Sequence, residues 1–250
     1  MKKWKGKIIG GAIGYFLGGP LGMIGGLALG NLFDATKSFS FTSRGPTEHQ
    51  TKEMAFFIAT FSMLAQMAIA DGRLLPEERE VVSSFIDNDL KLSGEEKEIA
   101  LRIFNVALTE NIGFEAFANQ FYENFSHDSS LLELMIDILV RVALADNRMS
   151  EGEKRLIYYS ANLFRISEAH LKTIIDRYSG SSETLKKAYA TLGLQEGATL
   201  EEAKKAYRKL SFDFHPDTIA SKGLPEEFTV FATERFRAIQ ESFETIKNHL

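Results

Sequence analysis

Three groups of residues in this 250-residue chain have types and spacings that could do chemistry. His215, Pro216 and Asp217 are consecutive; Asp71 and Glu78 recur 75 positions on as Asp146 and Glu153; and Gly10, Gly14, Gly18, Gly22, Gly26 and Gly30 fall on every fourth residue. A histidine beside a carboxylate could move a proton or hold a metal. His215 has no adjacent nucleophile, however, and together with Asp217 it supplies too few ligands for a metal site. None of the 5 histidines sits in a recognisable catalytic arrangement, so no catalytic residue is assigned and no enzyme is expected. The chain has no cysteine, which excludes a disulfide scaffold, a zinc ribbon, an iron-sulfur cluster and a thiol nucleophile.

The His-Pro-Asp tripeptide gains meaning from the elements around it. ETLKKAYATLGL reads as a short helix closed by Gly193, and Thr199 with Glu202 forms a capping box that opens the next helix, TLEEAKKAYRKLSFDF. Ala203, Ala206, Leu210 and Phe214 of that helix can face a core. Lys204, Lys205, Arg208 and Lys209 make its outer face basic. A third helix carries Phe236, Ile239, Phe243 and Ile246 at packing spacing, so the tripeptide falls at the tip between two antiparallel helices. Proline stiffens that corner and holds His215 and Asp217 on either side of it. TIASKGLPEEF reads as a long loop before the third helix.

The middle of the chain is helical in pattern. Met54, Phe57, Ile58, Phe61, Leu64, Ala65 and Ala68 follow the spacing of one buried helical face. The uncharged run from Met54 to Ala70 contains Thr60, Ser62 and Gln66 and reads as a core helix rather than a membrane span. MAIADGRLLPEEREVV at 67–82 matches VALADNRMSEGEKRLI at 142–157, which implies two similar helical hairpins related by a pseudo-twofold axis. The repeated Asp71, Glu78, Asp146 and Glu153 leave three readings open. They could ligate a hard divalent cation, form an acidic docking patch, or cap and charge the helix starts.

The glycine repeat belongs to a different element. From Ile8 to Phe33 there are 26 residues without a charge, flanked by Lys7 and Asp34, which is long enough for a helix to cross a bilayer. Glycine at every fourth position leaves a stripe with almost no side chain, so the stripe predicts association with a second copy, as a homodimer. A re-entrant hairpin turning at Gly19-Pro20 and a secretory signal are alternative readings. Four lysines ahead of the segment favour a cytoplasmic N-terminus. Residues 34–250 carry 25 basic and 34 acidic side chains, a balance that argues against nucleic-acid binding.

Two family resemblances give these segments an interpretation. With Ala-Asp-Gly at 70–72 and Glu78 seven residues after Asp71, residues 53–178 resemble the TerB-like helical domain, which implies an all-helical bundle with a proposed acidic metal site. The second copy departs from the pattern at Asn147. AYATLGL, AKKAYRKL and the His-Pro-Asp signature at 215–217 resemble, in order, the J-domain of DnaJ-type co-chaperones. That resemblance implies that His215, Pro216 and Asp217 trigger ATP hydrolysis in a DnaK-type chaperone and that Lys204, Tyr207, Arg208 and Lys209 dock on it. Asp213 and Thr218 stand where the family often has basic residues, which would weaken docking. The expected organisation is therefore an all-α chain: anchor 1–33, tether 34–52, TerB-like domain 53–178, linker 179–182 and J-domain 183–250. It implies a co-chaperone of the bacterial inner membrane with its domains in the cytoplasm and an unidentified client or signalling partner. No cofactor is required, and a divalent cation in the TerB-like domain stays an option. The rival reading is a metal-responsive membrane scaffold or signalling protein acting through that domain. A cytoplasmic J-domain conflicts with the lysine rule for a single span, whereas a hairpin satisfies both.

Overall fold

A computed structural model describes residues 14, 17–30, 46–72, 74–146, 148–178 and 184–250. Gly10, most of the 34–52 tether and the 179–182 linker lie outside them. The described residues hold helices α1 (Gly19–Gly30), α2 (Glu48–Met67), α3 (Pro76–Ser84), α4 (Gly94–Thr109), α5 (Phe114–Phe125) and α6 (Ser129–Ala143). They continue with α7 (Glu151–Leu163), α8 (Glu168–Tyr178), α9 (Thr184–Thr191), α10 (Leu200–Asp213), α11 (Pro216–Ser221) and α12 (Thr229–His249). A π-helical turn, Phe85–Asp89, follows α3, and a 3-10 turn, Glu226–Phe228, precedes α12. The described residues contain no strand, as the helical periodicity implied.

The uncharged run at 54–70 is the centre of a helical bundle. Thr47 and Gln50 close a capping box at the start of α2. Every residue from Met54 to Ala65 is buried, and the helix packs against α4, α5, α6 and α7. Such a helix is apolar all round because it has neighbours all round. Two of its polar side chains are satisfied, Thr60 donating to the carbonyl of Phe56 at 2.9 Å and Gln66 to that of Ala107 at 2.6 Å, whereas the buried Ser62 hydroxyl has no partner. Phe56 meets Phe121 and Phe125 edge-on, with ring centroids 5.5 and 5.9 Å apart.

The sequence repeat appears as two helix-turn-helix units, α2 to α3 and α6 to α7, whose turns touch. A β-carbon placed on Gly152 would lie 2.4 Å from Asp71 Oδ1 and 2.9 Å from the β-carbon of Ala70. Glycine at this position lets the first turn rest on the start of α7.

The amino-terminal run does not continue as one helix. Gly18 and Gly19 have φ of 57° and 53°, a region glycine enters without a steric penalty, and α1 begins there with Pro20 in its first turn. Among the described residues no helix is long and apolar enough to cross a membrane. Instead α1 packs against α2, α4 and α5, with Leu21, Ile24, Ala28 and Leu29 buried.

Candidate functional site

The carboxy-terminal helices build the His-Pro-Asp corner in steps. Thr199 Oγ1 accepts from the Glu202 amide at 3.3 Å, while Glu202 Oε2 accepts from the Thr199 amide at 2.8 Å, forming the expected capping box. Ala203, Leu210 and Phe214 then face inward from α10, against Phe231, Ala232, Ile239 and Ile246 of α12. Two ring contacts set the direction of packing. Tyr207 stacks on Phe243 at 4.4 Å, and His215 meets Phe236 edge-on at 5.4 Å, so advancing along α10 means receding along α12. The two helices are antiparallel and the tripeptide sits at their joint.

At that joint His215 caps α11. Its Nδ1 accepts from the Asp217 amide at 3.3 Å, and Pro216 occupies the first helical position. The side chains of His215 and Asp217 are 48% and 95% exposed, so both reach solvent from a fixed corner. Arg208 and Lys209 are exposed on α10, and Lys204 pairs with Glu201 at 2.8 Å. Tyr207 is half-buried and spends its ring face on Phe243. An exposed histidine and carboxylate beside the exposed cations of α10 make a recognition surface.

The segment after Asp217 differs from the expected loop. It forms α11 and the 3-10 turn, and it lies on the TerB-like bundle. Phe228 is fully buried with its ring 5.1 Å from Phe56, 6.0 Å from Phe57 and 6.3 Å from Phe61. Lys222 donates to Ser130 at 2.6 Å. Gly223 has φ of 100°, and a β-carbon there would lie 2.7 Å from that of Lys52.

A buried ionic group lies at the same seam. Arg235 of α12 pairs with Asp137 at 3.0 Å and Glu133 at 3.2 Å, both on α6. Arg177 of α8 closes on Asp137, and His170 reaches Glu133 at 3.1 Å. Burial alone would raise the Glu133 carboxyl. The His170 hydrogen bond and the charges of Arg235, His170 and Arg177 outweigh it and hold the group at about 2. Arg235 also donates to the Thr191 carbonyl at 3.3 Å and lies 5.1 Å above the Phe214 ring. None of the charged residues of this group was singled out from the sequence.

The acidic repeat is brought together although its members are 75 residues apart. Burial raises the Glu78 carboxyl, and the charges of Asp146 and Asp71 raise it further; burial also raises Glu153, with Glu78 and Asp146 adding to it. Glu153 is engaged in a capping box with Ser150, and Asp146 accepts from the Arg148 amide at 2.9 Å. Among the described residues no three histidine or carboxylate side chains are grouped to hold a metal. Of the glycine stripe, Gly22 lies against the backbone of residue 14: a β-carbon on Gly22 would be 2.7 Å from the Gly14 oxygen, and one on Gly14 would be 3.9 Å from Cα of Gly26. Gly18 supplies the break described above, and Gly30 ends α1.

Fold and site together define an all-helical J-domain protein with a TerB-like bundle. Comparison with known proteins agrees across the whole length. Residues 1–46 match the transmembrane domain of co-chaperone DjlA, residues 57–175 tellurite resistance protein TerB, and residues 187–249 the DnaJ domain. The co-chaperone protein DjlA of Photobacterium profundum is 29% identical, over 97% of this chain and 97% of its own. Those of Coxiella burnetii and Escherichia coli K12 are 28% and 26% identical, over 98% and 99% of this chain and 97% and 98% of theirs. No solved structure matches the chain. The chain is similar along its whole length to the DjlA co-chaperones, with one region that matches their transmembrane domain and one that matches the DnaJ domain.

Proposed function

We propose that this co-chaperone stimulates ATP hydrolysis by a DnaK-type chaperone through His215, Pro216 and Asp217, and recruits that chaperone to the cytoplasmic face of the bacterial inner membrane. The observation that carries the reading is the exposed His-Pro-Asp corner, fixed by a proline and a histidine cap at the end of a helix with a basic outer face. Lys204, Arg208 and Lys209 supply the charge that steers an acidic partner, an effect felt in encounter rate and register. Tyr207 acts by holding α10 on α12. Hydrolysis takes place on the partner.

The match to a transmembrane domain supports anchoring. An anchored J-domain raises the local concentration of recruited chaperone around clients at the membrane. A homodimer through Gly10, Gly14, Gly18, Gly22, Gly26 and Gly30 belongs to the membrane-inserted form, because Gly22 otherwise faces Gly14 of the same chain. The rival metal-responsive scaffold has less support, since Glu153 is already engaged in a helix cap.

Single-turnover ATP hydrolysis by a DnaK-type chaperone, measured with and without the full chain, tests the proposal. Stimulation that His215→Gln abolishes is expected. No stimulation, or stimulation unchanged by the substitution, overturns it.

A further inference from the structure

The second half of the glycine-rich segment occupies a site on the TerB-like bundle that looks built to receive it. Helix α1 turns Leu21, Ile24, Ala28 and Leu29 inward, each no more than 2% exposed, and leaves Met23 and Leu27 facing out at 46% and 47%. It lies in a groove formed by α2, α4 and α5. The polar element of the groove is Gln120 of α5, 9% exposed on a helix whose other buried residues are Phe114, Phe117, Ala118, Phe121 and Phe125. Its amide is spent on the start of α1. Oε1 accepts from the Leu21 amide at 2.8 Å, and Nε2 donates to the carbonyls of Leu17 and Gly18, both at 3.0 Å. The first amides of a helix have no partner within it, and Gln120 supplies one from the bundle.

These residues cannot be here and in a bilayer at once. The uncharged run is 26 residues long, and a span needs about 20. Residues 8–18 alone are too few, so any single crossing must take 19–30 out of the groove. We propose that the TerB-like domain carries a binding site for a short apolar helix with an unpaired amino-terminal turn, that its ligand is the chain's own residues 19–30, and that occupancy of this site and insertion of the anchor exclude each other. The exclusion rests on the membrane reading above; the site itself does not. The groove shields Leu21, Ile24 and Leu29 from water before insertion and is vacated by it.

Because the chain has no cysteine, a single introduced pair reports the docked state. A β-carbon on Gly19 would lie 3.2 Å from Cδ of Gln120, so the two positions face each other in the docked state, and oxidation of Gly19→Cys with Gln120→Cys in the full chain reads that juxtaposition. The expected result is an intramolecular disulfide in chain synthesised without lipid, and its loss in chain inserted into phosphatidylethanolamine/phosphatidylglycerol vesicles. Insertion is scored separately, by protease protection of residues 8–33. A second variant avoids the added thiols. Gln120→Leu removes three hydrogen bonds from the docked form only, and should raise the inserted fraction about tenfold at limiting lipid. No cross-link without lipid, together with an inserted fraction unchanged by Gln120→Leu, overturns the site while leaving anchoring intact. A cross-link that persists in inserted chain overturns the exclusion. A cross-linked chain that never inserts supports the site and overturns the membrane reading.

Discussion

Arg235→Met should loosen the J-domain from the bundle, and the structure sets the size of the effect. The Arg235 side chain is 3% exposed, between Glu133 at 14% and Asp137 at 0%. Methionine keeps an unbranched apolar stem but removes both ion pairs, the hydrogen bond to Thr191 and the cation over Phe214. Removing one partner of a buried pair costs about 3–5 kcal/mol, because the remaining charge stays buried. Asp137 would keep Arg177, and Glu133 would keep His170, which favours the lower figure. Urea unfolding followed by far-UV circular dichroism measures the loss. Cleavage of the 179–183 segment by a protease reports undocking. Asp137→Asn combined with Arg235→Met should cost less than the sum of the two single changes, since it removes charges of both signs from one site. Acid unfolding gives a further check. With Glu133 held at about 2 and an unfolded carboxyl in the ordinary range, its contribution is present above pH ~4.5 and is lost as pH falls toward 2. That limb should move to higher pH once Arg235 is gone. A loss below ~1 kcal/mol with strictly additive double-variant behaviour would refute the argument that the seam is held by this network.

At the other end of the seam, burial pushes the Glu227 carboxyl up to about 7, with the charges of Glu96, Glu226 and Glu53 adding to it. A raised carboxyl stabilises the fold below its unfolded value and loses that contribution as pH rises through 7, so stability should climb by up to ~3 kcal/mol between pH 8 and pH 5. Glu227→Gln should raise stability at pH 8 and flatten that climb in thermal melts. Gly152→Ala should cost about 1–3 kcal/mol by urea unfolding, because the added methyl meets the turn at Ala70 and Asp71, whereas the same change at Gly72, where nothing lies within 4 Å, should cost only its backbone strain at φ of 101°.

Much of this fold was legible in the sequence because the relevant signals are local. Thr199 and Glu202 lie three residues apart and form the cap that their spacing implied. The apolar face from Met54 to Ala68 is buried, and the 75-residue repeat reappears as two matched turns. The His-Pro-Asp corner needed only its flanking helices. What escaped was the seam, and it escaped because each half looks unremarkable alone. TIASKGLPEEF has the glycine and proline of a surface loop, yet Phe228 ends in the bundle core. The signal that could have exposed the seam is a pair of misplaced charges. Arg235 falls on the same helical line as Phe231 and Ile239, and Asp137 interrupts an apolar stretch of α6; two charges of opposite sign on two apolar stripes call for each other.

The seam changes what the short linker does. A J-domain on a free tether samples many orientations, and tethering then acts through distance alone. Here α9 packs on α8, Arg235 is locked between two carboxylates of α6, and Phe228 is plugged against α2. The direction in which His215 and Asp217 face is therefore set by the bundle. The same α2 also forms one wall of the groove that holds α1. One buried helix thus touches both the anchor segment and the J-domain latch.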